Sequence, residues 1–316
     1  MEYDLKYMRR ALQLAALSPY YTHPNPMVGA VIVANGRIIG EGWHHRCGQG
    51  HAEVNAIASV READRYLLQQ STMYVTLEPC AHYGKTPPCA QLIIDKKIPR
   101  VVVGAVDPFS KVAGRGISML QEAGIEVVTG VLAEESIALN KKFFAAHTLQ
   151  RPYITLKWAQ SSDGFMDSDR SADGKPFKFS TSLGGVIVHR ERALNDAILS
   201  TLATVEADGA QLNVRSFPGP SPRRVIVDVS VNPLELMAKL YSQGVTSVLV
   251  EAGPRFLNSM LEAEMWDCLR IETSPDILGE CGRHTAPSIV IPSAVRITKS
   301  KIGNNTITVI ERRSLT

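Results

Sequence analysis

Apolar residues change their spacing several times along this chain, and each change marks an element. Leu5, Met8, Leu12 and Ala15 recur at helical intervals, which predicts an amphipathic helix from Asp4 to about Leu17, laid on a sheet. The run MVGAVIV, the pair Asn35-Gly36 and the run RIIGEGW read as a β-hairpin with a tight type I′ turn. Helix and strand patterns then alternate. They predict a helix from about Ala52, the strand TMYVTL, a helix after Pro88, the strand RVVVGAVD, a helix ending at Gly124 and the strand IEVVTGV. Alternation of this kind gives a three-layer α/β/α domain.

The pattern breaks around AAHTLQRP (145–152), where Pro152 disfavours a helix running through Arg151. A first domain is therefore expected over 1–146 and a second α/β domain over 152–316. The second begins with the strand YITLKWAQ and the loop SSDGFMDSDRSADGKP, rich in Asp, Ser and Gly. A helix from Gly185 to Asn195 follows, then the strands RRVIVDV and TSVLVE, and a closing hairpin of SAVRITKS and TITVIER. Between the two strands in the middle, VSVNPLELMAKLYSQGV has room for little beyond one helix.

Length agrees with two cores, since a single core stops growing at roughly 250–300 residues and the chain has 316. With 45% hydrophobic and 21% charged residues the chain can bury them. A formal charge of +3, with no block of like charges, gives no reason to expect a nucleic-acid or membrane partner. The segment MEYDLKYMRR puts charges where a secretory signal needs apolar residues, and the cytoplasm is the expected compartment. Five cysteines in such a chain argue against a disulfide framework, so Cys80 and Cys89 either keep free thiols or hold a metal.

The second alternative gains weight from what surrounds them. A catalytic zinc takes three ligands from His and Cys and leaves a fourth position for water, whose pKa falls to about 7. His51, Cys80 and Cys89 supply such a set, with Glu53 two residues beyond the histidine. His51 and Glu53 can face one point only at a helix start, before the helical period separates them. Pro79-Cys80 and Pro88-Cys89 read as helix starts by the same logic, so three helix starts are expected to converge on one ion. The order H-x-E then P-C resembles that of zinc deaminases, in which the glutamate moves protons and is not a ligand. Here eight residues separate the cysteines, instead of two.

The chain resembles the bifunctional deaminase/reductase family of riboflavin biosynthesis, the RibD type. The likeness rests on HPNPMVGAVIV (23–33), GWH (42–44), HAE (51–53), TLEPCAHYGKTPPC (76–89) and DPFSKVAGRG (107–116). In the second half it rests on KWAQSSDG (157–164), HRERALNDAIL (189–199), ATVEADGAQLNVR (203–215) and VEAGP (250–254). The resemblance implies a cytidine-deaminase-like domain followed by a dihydrofolate-reductase-like α/β domain, here shortened. It implies Zn2+ and NADPH as cofactors and a phosphorylated pyrimidine as substrate, deaminated first and then reduced from ribosyl to ribityl. It also implies a homodimer or higher homo-oligomer. Asn25, His44, His82 and Lys85 would contact the substrate in the first domain, and Arg192, Leu212, Arg215 and Glu251 in the second. Ala159, Thr204, Asp208 and Gly253 would contact NADPH.

Three other readings compete. A deaminase with a degenerate second half, serving structure or dimerisation, follows from the shortened connection. A deaminase editing RNA would need a basic surface and the shorter cysteine spacing, and the chain has neither. A structural zinc protein would close the fourth ligand position rather than place a glutamate beside it.

Overall fold

The structure, a computed structural model, describes residues 2–82, 87–109, 113–171 and 174–312. Packing divides the chain into two compact units, Met1–Thr148 and Leu149–Thr316.

The first unit opens with α1 (Glu2–Ala15), then the hairpin of β1 (Gly29–Ala34) and β2 (Arg37–Trp43). Both turn residues, Asn35 and Gly36, have positive φ, as a type I′ turn requires. Next come α2 (Ala52–Ala58), β3 (Thr72–Leu77), α3 (Cys89–Asp95), β4 (Arg100–Ala105), α4 (Arg115–Glu122) and β5 (Glu126–Thr129). The unit closes with α5 (Ala133–Leu139) and α6 (Lys141–Leu149). The strands form one sheet in the order β2-β1-β3-β4-β5, antiparallel at the hairpin and parallel from β3 to β5. Alternate residues of β1 serve opposite faces. Val31 and Val33 pack on Tyr7, Met8, Ala11 and Leu14 of α1, whereas Ala30 and Ile32 join Ala56, Ile93 and Leu120 from α2, α3 and α4. The unit is thus three layers deep. Gly42 lets α2 press onto the hairpin, because a Cβ there would overlap the Ala56 backbone nitrogen.

The second unit contains β6 (Tyr153–Gln160), β7 (Phe165–Ser168), α7 (Ser182–Ala193), β8 (Ala197–Thr201) and α8 (Leu202–Asp208). It continues with β9 (Arg223–Val227), α9 (Pro233–Ser242), β10 (Ser247–Val250), α10 (Pro254–Glu262) and β11 (Cys268–Thr273). It ends with β12 (Gly282–Thr285), β13 (Val295–Ile302) and β14 (Asn305–Arg312). Seven strands form one sheet in the order β13-β14-β11-β6-β10-β8-β9, and β12 pairs with β7 in a separate ribbon. One face is a large apolar core in which Ile154, Leu156 and Trp158 of β6 meet α9 and α10. The opposite face holds the smaller cluster of Ile198, Leu212 and Leu249, together with buried polar residues such as Arg270 and Glu272.

Several expectations need correction. Before Pro152, α6 continues to Leu149 and ends short of Arg151, and the two units part at Thr148/Leu149, within the segment where the pattern breaks. The helix expected from Gly185 to Asn195 begins at Ser182, where the Thr181 hydroxyl accepts the Gly184 N–H at 3.1 Å and caps it. The Asp/Ser/Gly-rich loop contains β7. As its length allowed, the connection from β9 to β10 carries α9 alone. No helix among the described residues is long and apolar enough to cross a membrane.

Candidate functional site

In the first unit the site is built from two helix starts. His51 is the extended N-cap residue of α2, and Glu53 is the second residue of that helix. Both therefore turn toward the same point. Pro88 is the N-cap of α3 and Cys89 its first residue. Cys80 does not begin a helix, contrary to expectation; it lies in the stretch after β3. It nevertheless uses one, because the Cys89 N–H donates to Cys80 Sγ at 3.3 Å and the Ala90 N–H donates to its carbonyl at 3.2 Å. The third helix start, α4, is taken by another acid. The Glu78 carboxylate accepts the N–H groups of Gly114 and Gly116 at 2.9 Å, and of Asp107 and Ile117 at longer range. A Cβ on Gly116 would overlap the Pro79 carbonyl oxygen, so α4 seats directly on the residue before Cys80.

The donor atoms of His51, Cys80 and Cys89 all lie within 4.8 Å of one another. His51 Nδ1 stands 3.6 Å from Cys80 Sγ and 3.4 Å from Cys89 Sγ. One imidazole and two sulfurs at such spacing fit a tetrahedral zinc. The Cys89 hydrogen bond and His51 hold the Cys80 thiol down at about 4 against the cost of burial, while Cys80 pushes the Cys89 thiol up. The pair shares a single thiolate until a cation compensates the second. Burial pushes the Glu53 carboxyl up to about 7 against the pull of His51, and only 3% of the residue is exposed.

His44 donates from Nδ1 to the Gly50 carbonyl at 3.1 Å, which leaves Nε2 facing Asn25 Nδ2 at 3.4 Å. Its ring meets that of His51 edge-on, with centroids 5.5 Å apart, and burial lowers its pKa. His82 is exposed, and burial raises the nearby Asp107 carboxyl. Lys85 lies outside the described residues.

In the second unit a pocket of about 330 Å³ is lined by Arg192, Asp208, Gly209, Ala210, Gln211, Leu212 and Arg215. Four of the seven were expected site residues. Leu212 holds a left-handed φ of 55° while its side chain is buried, a strained backbone that turns the chain back toward Arg215. Arg192 grips Glu251 with both ends of its fork, at 3.0 and 2.9 Å, and gives its third nitrogen to the Asn213 carbonyl. Burial would raise the Glu251 carboxyl, but Lys157 and Arg192 hold it down at about 2. Gly253 caps α10, and its N–H donates to Thr204 Oγ1 at 3.1 Å. A Cβ there would meet only that oxygen, at 3.6 Å, so open space lies before the helix. Ala159 sits on β6 in register with Glu272. Asp208, at the end of α8, is paired with Arg170 at 2.6 Å.

Two residues were passed over in the sequence. Lys157, 4.0 Å from Glu251, was signalled by a charge inside an apolar strand, and Glu78 by an acid at the end of one.

Residues 1–105 match the cytidine and deoxycytidylate deaminase zinc-binding region. Residues 152–232 and 227–307 match the RibD C-terminal domain in two pieces that overlap just after β9. The riboflavin biosynthesis protein RibD of Aquifex aeolicus is 36% identical over an alignment covering 88% of this chain and 89% of its own. The chain belongs to the RibD family. As a member it is an enzyme of riboflavin biosynthesis with a deaminase and a reductase activity. The solved structure of Acinetobacter baumannii RibD superposes with a TM-score of 0.87 at 31% identity, covering 99% of each chain. A diaminohydroxyphosphoribosylamino-pyrimidine deaminase of Buchnera aphidicola is 50% identical over 141 residues, 45% of this chain and 93% of that protein. Both halves of the RibD architecture are present, and nothing in these matches favours a lapsed reductase.

Proposed function

We propose that the first unit hydrolytically deaminates a diaminopyrimidine carrying a phosphoribosylamino group, with His51, Cys80 and Cys89 holding one zinc ion. The observation that carries the reading is three donor atoms within 4.8 Å beside a buried carboxyl. Zinc, when bound, supplies Lewis acidity that makes water a nucleophile near neutral pH. Glu53 takes one proton of the attacking water and gives it to a ring nitrogen, then takes the second proton of the same oxygen and gives it to the departing amine. A carboxyl raised to about 7 can do both at working pH. Asn25 and His44 offer an amide and an imidazole nitrogen to the ring, and by the family likeness His82 and Lys85 contact the rest of the substrate.

The second unit reduces the ribosyl group of the deaminated product, with NADPH as hydride donor. Arg192, Leu212, Arg215 and Glu251 contact the substrate at the pocket, and two guanidinium groups suit its phosphate. Ala159, Thr204, Asp208 and Gly253 take the cofactor, with a cofactor phosphate in the open space before α10. Small molecules are the partners in this reading, the cytoplasm the compartment and a homo-oligomer the working form.

A purified, zinc-supplied protein given the diaminopyrimidine phosphate is expected to release ammonia and to oxidise NADPH, the two signals followed separately. Ammonia alone would remove the reductase half of the proposal, and neither signal would remove both.

A further inference from the structure

Beneath α7 lies a buried polar pair that neither reaction uses. Arg270 and Glu272 stand two residues apart on β11, in register with Lys157 and Ala159 of β6, so their side chains leave the face that α7 covers. The side chain of Arg270 is 3% exposed and that of Glu272 is 0% exposed. Arg270 holds the helix near its end, and Glu272 holds the chain just before its start. Arg270 donates from Nε to Glu191 Oε1 at 2.9 Å, near the C-terminal end of α7. Glu272 accepts from Ser180 Oγ at 3.0 Å, just ahead of α7, and a Cβ on Gly184 would come within 3.0 Å of Glu272 Oε1. Asn305 Nδ2 donates to the same carboxylate at 2.7 Å. Arg270 Nη1 and Glu272 Oε2 are 3.8 Å apart, and among the described residues neither Nη nitrogen of Arg270 finds a hydrogen-bond partner.

As a source of stability this is a poor arrangement. A buried guanidinium short of hydrogen bonds keeps much of its desolvation cost, and an apolar pair would fill the space at least as well. What one directional contact near the end of a helix and another just before its start supply is register, because together they fix the helix in rotation and along its axis where apolar contact allows sliding. The residue after Glu191 is Arg192, which holds Glu251 and lines the pocket.

We propose that Arg270 and Glu272 are positioning residues for the reductase step: they set the register of α7 so that Arg192 meets both Glu251 and the substrate. The inference rests on the reading of that pocket as the reductase substrate site.

The test is the double substitution R270M/E272Q, which removes both charges so that neither is stranded. It is assayed with the deaminated pyrimidine phosphate at varied concentration and saturating NADPH, with ammonia release by the same sample as a control for the first unit. The expected result is a KM raised roughly ten- to hundred-fold, as for a misplaced binding group, with kcat changed less and ammonia release unchanged. In an Arg192→Lys background the same pair should add little to KM. Glu191→Gln, at a partly exposed position that folding tolerates, should move KM in the same direction by less. An unchanged KM with only a lowered Tm or active fraction would make the pair purely structural and overturn the inference. A full KM effect in the Arg192→Lys background would overturn the route through Arg192. Absence of NADPH oxidation by the unsubstituted enzyme would overturn the pocket reading, and this inference with it.

Discussion

At position 53, burial and charge pull against each other and burial wins, which leaves a carboxyl able to change protonation near neutrality. Glu53→Gln keeps the shape and removes the proton acceptor. Ammonia release is expected to fall by about 10²- to 10⁴-fold while zinc content, read by elemental analysis, stays the same. Glu251 shows the opposite balance, because Lys157 and Arg192 overcome burial and hold its folded value at about 2 against an ordinary 4.5. A carboxyl lowered by folding adds stability that is complete above pH 4.5 and is lost as pH falls toward 2. The urea midpoint of the second unit should therefore drop through that window in the unsubstituted protein, and Glu251→Gln should flatten the drop. Residue type and order were enough to single out His51, Glu53, Cys80 and Cys89 before any fold was known. Arg270 and Glu272 were not legible, and Lys157 showed only as a charge in an apolar strand, because such a charge gains meaning only when its face and the helix above it are known.

Elements were legible where period and punctuation agreed, as in the β1–β2 hairpin and in β3, whose bounds match the run TMYVTL. Cys80 was misread because proline's fixed φ suits an extended segment as well as a first helical turn. The ribbon of β7 and β12 escaped notice because its partners are over a hundred residues apart, and local pattern cannot report such pairing. The seating of α4 on Pro79 is also non-local, and it is testable. Gly116→Ala should drive the helix off the Pro79 carbonyl, at a cost of about 1–3 kcal/mol in urea unfolding. Because Cys80 follows Pro79, the same variant should surrender zinc to a competing chelator faster than the unsubstituted protein.

At the scale of the molecule each unit owns its core. The first unit's two clusters draw only on residues up to Leu132, and the second unit's begin at Ile154. A chain of residues 1–148 is therefore expected to fold alone and to release ammonia at a rate comparable to the full-length enzyme, with no NADPH oxidation. Loss of ammonia release in a folded 1–148 would show that the first site depends on the second unit. The second unit's sheet carries its chemistry near the middle and ends at β9, and the short link through α9 contributes no residue to the pocket wall. Descendants of one ancestral chain could gain or lose a whole crossover at that margin and still inherit the same reaction, so length here is a poor guide to lost activity.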